Sequence, residues 1–221
     1  MRLRRYTNKN NFSNKYFYVN KSLNKKITSF SFMYIAVEGC HGIGKTSICR
    51  ELSKKYHYTF IEELKDNLLP PPKIGPNGDI FLSQCWFLRQ MILKEAQMNN
   101  NGIYISDRGK SSIYIYSKAN MNDYQLEIFK TLLQKVDLKE PDLEIILHAP
   151  DEIIFDRIKK RGRTSWGEQD IDYVRKINSA FLQYYNDYRD VKNVRLVDAS
   201  NDLIKNIENV KQVIDSYLAE L

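Results

Sequence analysis

The segment Gly39-Cys40-His41-Gly42-Ile43-Gly44-Lys45-Thr46 leaves this chain fewer ways to fold than any other stretch. It fits G-x-x-x-x-G-K-[ST] in full. It follows a short apolar run, Tyr34-Ile35-Ala36-Val37, that reads as a buried strand, and it opens a helical stretch from about Lys45 to Tyr56. Strand, glycine turn and helix are the context that gives this spacing meaning. Glycines let backbone N–H groups turn inward around phosphates, and the helix N-terminus adds a partial positive charge.

The rest of the chain repeats the alternation. Tyr58 to Ile61, Ile103 to Ser106, Leu143 to Leu147 and Val194 to Val197 read as strands. Helices are predicted over 81–98, 151–160, 171–188 and 202–219, and residues 111–136 read as mainly helical. Asp151, after Pro150, is expected to cap its helix. Four prolines and two glycines between Leu68 and Gly78 predict a loop. Strands alternating with helices imply a mostly parallel sheet covered on both faces.

The net charge of +7 invites a nucleic-acid reading, but its location argues against one. Residues 1–32 carry eight basic side chains and no acid; the other 189 residues hold 26 basic and 27 acidic ones, for a net of −1. No nucleic-acid partner is required. The basic arm 1–32 is expected to be flexible, and three readings of it stay open: a mitochondrial transit peptide, a tail for anionic partners, or sequence upstream of a start at Met33. No apolar run reaches a membrane-spanning length. Three cysteines without a Cys-x-x-Cys pair suggest neither a disulfide framework nor a zinc site, and a reducing, cytoplasmic setting is the simple inference, with mitochondria the alternative.

Several side chains carry chemistry. Lys45 can reach the β- and γ-phosphates of a nucleoside triphosphate such as ATP, and Thr46 can ligate Mg²⁺. With Ser47 they complete a phosphate site begun by Gly39, Cys40, His41, Gly42, Ile43 and Gly44. His41 reads as a spacer with its ring in solvent, against a catalytic alternative. Arg157 and Arg161 lie four residues apart, on one helix face, with Arg163 just beyond. Three guanidinium groups there can clamp a triphosphate; the alternative is a solvated basic face. Asp107 and Arg108 end the third strand, where open α/β sheets bind ligands. Asp107 is a candidate to hold Mg²⁺ through water, and Arg108 to orient an acceptor. Glu62 and Glu63 end the second strand, and adjacent carboxylates raise the pKa of one, which suits a general base.

From Met33 onward the chain resembles the deoxynucleoside kinase and thymidylate kinase superfamily. Val37 through Thr46 resembles its EG-x-x-G-x-GKT start, and the His41-Gly42 pair is similar to herpesviral thymidine kinases. Asp107-Arg108 resembles the [ED]-R motif, and Pro141-Asp142-Leu143 through Arg163 resembles a PDL…ER-x-x-K-R-x-R strand, helix and lid. The resemblance implies a P-loop kinase fold: α/β, a five-stranded mostly parallel sheet, and an arginine-rich lid. It implies Lys45, Arg108 and Arg161 in catalysis, with Glu62 as general base from an E-P-V motif in which Glu63 replaces Pro. Glu63 stays a substitute. Phe81 to Arg89 resembles the helix F-x-x-Q-x-Y-x-L, whose Gln makes a two-pronged bond to the base, as Gln84 can. Trp86 and Phe87 offer flat apolar surface; Met91 lines the pocket or belongs to the core. The resemblance gives Glu168 the sugar 3′-hydroxyl and implies a homodimer. Thymidylate kinases carry R-E-P-G-G, absent here, yet Val197-Asp198-Ala199-Ser200 is like their ending. Nucleoside and monophosphate acceptors both remain open, with the nucleoside preferred. Ile113, where purine and cytidine enzymes often place Asp, favours a thymidine-like base.

Overall fold

A computed structural model describes residues 32–63, 69–99, 101–162 and 166–221. Five strands form one wholly parallel sheet in the order β2-β3-β1-β4-β5: β1 Met33–Glu38, β2 Thr59–Ile61, β3 Ile103–Asp107, β4 Leu143–His148 and β5 Val194–Asp198. Every residue of β1 is buried. That is why its sequence is a continuous apolar run rather than an alternation: helices cover both faces of its sheet. The helices are α1 Lys45–Tyr56, α2 Ile80–Glu95, α3 Lys110–Asn120, α4 Asp123–Lys135, α5 Asp151–Arg161, α6 Ile171–Tyr188 and α7 Leu203–Glu220. α1 packs on α7, whereas α3 packs on α6 with α2 and α4 beside it.

The predicted strands and helices are all present, with ends shifted by a few residues. The helical region 111–136 divides at Met121, because the Asn122 side chain accepts from the Gln125 N–H and starts α4 afresh. α2, α6 and α7 have similar caps from Asp79, Asp170 and Asp202. Asp151 is not the cap expected of it. Pro150 is the cap residue, and Asp151 is the first helical residue, accepting from Asn178 Nδ2 at 2.9 Å.

Phe32, counted with the arm in the sequence, packs on Tyr104 with ring centroids 5.4 Å apart. The remainder of the arm lies outside the described residues. No helix among the described residues is long and apolar enough to cross a membrane. The sheet order reverses on either side of β1, so the carboxyl ends of β1 and β3 open onto one crevice.

Candidate active site

The loop after β1 holds Gly39, Gly42 and Gly44 at φ 138°, 72° and 108°. A Cβ on Gly42 would lie 2.5 Å from Ile158 Cγ1, so α5 presses directly on the loop and only glycine fits. Gly44 is the N-cap of α1 and supplies no side-chain hydrogen bond, which leaves the first-turn N–H groups facing the hollow of the loop. Lys45 Nζ donates to the carbonyls of Gly39 at 3.0 Å and Cys40 at 2.8 Å. Burial lowers its pKa, and Arg108 adds to that. Thr46 Oγ1 donates to Asp107 Oδ2. Across from the loop, Arg157 and Arg161 close a cleft with about 1050 Å³ of empty space.

A second cleft, with about 570 Å³ of empty space, lies on the other side of the loop. Gln84, Phe87, Met91 and Lys94 line it from α2. They repeat at helical spacing and so form one stripe. Gln84 is 3% exposed, and its amide makes no hydrogen bond to another described residue. At the far end, Arg108 Nε meets Glu63 Oε1 at 2.6 Å. Arg108 also donates to the Gly39 carbonyl at 3.3 Å, Ser112 Oγ at 3.2 Å and Tyr116 Oη at 3.2 Å. Burial alone would raise the Glu63 pKa, but Arg108 beside it, then Lys45 and Lys94, outweigh burial and hold it below the usual carboxylate range. Asp107 is raised, by burial first and then by Glu63.

His41 is the loop residue that lines the second cleft. It is 6% exposed and stacks near Tyr116 and Tyr173. Its Nδ1 lies 3.6 Å from Glu168 Oε1, and Glu168 in turn lies 3.7 Å from Arg161 Nη1. Trp166, just before Glu168, meets Phe87 edge-on at 6.0 Å.

Residues 80–221 match the deoxynucleoside kinase family model, well over half of the chain. The chain belongs to the deoxynucleoside kinase family. It is therefore a kinase, a phosphotransferase whose substrates are small nucleosides or nucleotides. Among curated relatives it is 31% identical over 200 residues to a probable thymidylate kinase of Archaeoglobus fulgidus, covering 84% of this chain and 96% of that one. It is 26% identical over 169 residues to the deoxyguanosine kinase of Bacillus subtilis, covering 70% and 76%. Among solved structures, the M. mycoides deoxyadenosine kinase with dCMP and dCDP bound has the same fold, with a TM-score of 0.68 at 24% identity, covering 83% of this chain and 99% of that one.

Within the site, five residues depart from the sequence expectations. Glu62 does not face the cleft; it is exposed, 3.5 Å from Arg50 Nη2, and Glu63 takes the inward position. In extended chain, successive side chains point to opposite sides. With Ile61 buried, Glu62 turns out and Glu63 turns in. The raised carboxylate pKa expected within the Glu62–Glu63 pair is not found at Glu63, which Arg108 holds below the usual carboxylate range. His41 is not a solvent-facing spacer but a buried wall of the second cleft. Trp86 does not line that cleft; its indole N–H donates to the Leu69 carbonyl at 3.0 Å and braces the proline-rich loop. Arg157 commits its guanidinium to backbone carbonyls, those of Ala199 at 2.7 Å, Asn201 at 2.6 Å and Ile43 at 3.3 Å. It ties α5 to the loop after β5 and is not a free clamp. Glu168 stands behind His41 rather than on the cleft wall. Met91 fills both roles considered for it, lining the cleft and belonging to the core around Phe129. Arg163 lies outside the described residues.

Sequence reasoning missed Glu38 and Lys94. Glu38, fully buried, accepts from the N–H groups of Gly109 at 2.7 Å and Ser112 at 3.3 Å and from the Ser112 hydroxyl, so it caps α3 from another strand. Burial pushes its pKa up to about 7. For Mg²⁺ the donor set fits. Thr46 supplies a hydroxyl, and Asp107 Oδ1 is buried with no hydrogen-bond partner among the described residues. Hard divalent cations take this kind of oxygen set, completed by water and phosphate.

Proposed function

We propose that this kinase transfers the γ-phosphoryl group of ATP to the 5′-hydroxyl of a deoxynucleoside, serving nucleotide salvage and DNA precursor supply. The observation that carries the reading is the buried residue Gln84, whose amide makes no hydrogen bond among the described residues, at one end of the second cleft with Glu63–Arg108 at the other. An amide in that position pairs with a base edge, because it both donates and accepts. Glu63, ionised by Arg108, takes the proton of the 5′-hydroxyl. Lys45, the P-loop N–H groups and Arg161 stabilise charge on the transferring phosphoryl oxygens. Mg²⁺ on Thr46 and Asp107 would neutralise phosphate charge there. Arg161, across from the loop, is placed to close over the phosphates and keep water from the phosphoryl group.

A nucleoside fits the acceptor end better than a monophosphate does. The two cations lining the cleft are already engaged, Arg108 by Glu63 and Lys94 by oxygens of β3 and the turn after it. A phosphate dianion beside Glu63 would meet a carboxylate with no spare cation among the described residues. The monophosphate reading is nonetheless supported by the 31% identity to a probable thymidylate kinase. Ile113 lines the cleft with an apolar side chain, so the site favours a thymidine-like base over one whose amino group needs a carboxylate. Purified protein with ATP and Mg²⁺ is offered each deoxynucleoside and each monophosphate in turn. We expect nucleoside phosphorylation, thymidine foremost; products from monophosphates alone would refute the acceptor. Exposed Leu82, Ile92 and Leu93 on α2 and Tyr124, Ile128 and Leu132 on α4 support a homodimer, which sedimentation tests. The three free cysteines fit a reducing, cytoplasmic setting.

A further inference from the structure

Lys94 is 1% exposed, in the last turn of α2. An isolated ammonium in such a place is costly unless every N–H finds an acceptor. This one finds three: Ser106 Oγ at 2.8 Å, the Asp107 carbonyl at 3.0 Å and the Arg108 carbonyl. All three acceptors belong to the end of β3 and its exit. Ser106 Oγ donates to the same Arg108 carbonyl at 2.6 Å, so two donors grip that one oxygen.

The grip falls on a strained residue. Arg108 has φ 67°, one of three non-glycine residues with positive φ among those described. That conformation is disfavoured for an L-residue and persists only where surroundings hold it. Here the Arg108 N–H is bonded to the Val37 carbonyl at 3.0 Å, and its carbonyl is held by Lys94 and Ser106. The turn swings its side chain off the strand, towards the Gly39 carbonyl on the P-loop and Glu63 across the cleft.

We infer that Lys94 is a positioning residue for phosphoryl transfer: it locks the left-handed turn at Arg108 and so aims the guanidinium that orients Glu63. This rests on the reading of Glu63 and Arg108 as the acceptor-end machinery. The stripe that holds Gln84, Phe87 and Met91 against the acceptor thus ends in the residue that sets the reacting end. One helix gauges both.

The test is a double-mutant cycle on kcat, run with whichever acceptor the enzyme phosphorylates. Lys94→Met is expected to lower kcat at least about tenfold with KM for ATP within about twofold of wild type. Because Lys94 acts through Arg108, adding Lys94→Met to Arg108→Met should change kcat by less than about twofold. Multiplying losses in the double variant would overturn the inference, as would a Lys94→Met enzyme with normal kcat and only a lower Tm. Should Lys94→Met not fold, Ser106→Ala removes the second donor to the same carbonyl and keeps the charge. It should lower kcat about threefold alone and not at all beside Arg108→Met; no loss, or a multiplying one, overturns the inference equally. Glu63→Gln separates this from the reading beneath it. Full turnover in that variant removes Glu63 as the base and leaves the Lys94–Arg108 cycle intact.

Discussion

On the proposed donor side of the crevice, the groups that would face the phosphates come mostly from one contiguous run, Gly39 to Thr46, and most are backbone N–H groups. On the proposed acceptor side they arrive from separate elements: Glu63 after β2, Gln84 from α2, Arg108 after β3, Ile113 from α3 and Tyr173 from α6. The donor site is therefore a local property of the sequence, and the acceptor site a property of the packing. The first depends on glycine conformation and a helix end; the second depends on which side of an element each side chain leaves from.

Substitutions can break this contrast. The largest effect is expected where the acceptor end is chemical. Glu63→Gln should lower kcat by up to ~10⁴, the upper range for losing a general base, and Glu62→Gln by less than about twofold. Equal losses in steady-state assays would return the base role to Glu62. On the donor side, Lys45→Met should cost on the order of 10³ in kcat whichever acceptor is used, since it removes charge stabilisation common to all of them.

Glu38 belongs to both sides, as the residue before the P-loop and the cap of α3. Its folded pKa of about 7 lies above the ordinary 4.5, so its contribution to stability is present below 4.5 and lost as pH rises through 7. Burial is the main cause, with Glu144 adding and Ser112, Arg108 and Gly109 opposing. Between pH 5 and 8 the wild type should lose up to about 3 kcal/mol of unfolding free energy that Glu38→Gln retains, as read by urea titration. A parallel pH profile in the variant would place the titration elsewhere. The smallest effect sharpens the contrast best. Gln84→Ala should lower kcat/KM for the acceptor roughly 10–100-fold and leave KM for ATP unchanged.

The same contrast explains what could be read in advance. The P-loop, the alternation and the helix limits 45–56 and 171–188 depend on neighbours in sequence, and all were legible. Arg157 and Arg161 were legible as one face, but the acceptors of Arg157 lie 42 and 44 residues further on, at Ala199 and Asn201. His41 looked like a spacer because Tyr116, Tyr173 and Glu168, which enclose it, come from distant elements. Lys94 carried no signal in the sequence beyond its place at helical spacing from Gln84, because its acceptors lie on β3 and the turn after it. The choice between Glu62 and Glu63 was open to argument from strand phase, had Ile61 been taken as the inward reference.

Cys40 sits inside the phosphate loop, fully buried, with its Sγ donating to the His41 carbonyl at 3.3 Å. Burial pushes its thiol up to about 12. A thiol that stays protonated is a poor target for peroxides and alkylating reagents. The loop thus carries sulfur at its most exacting point without becoming an oxidation sensor, and covalent thiol reagents will find the half-buried Cys85 on α2 before they reach the nucleotide site.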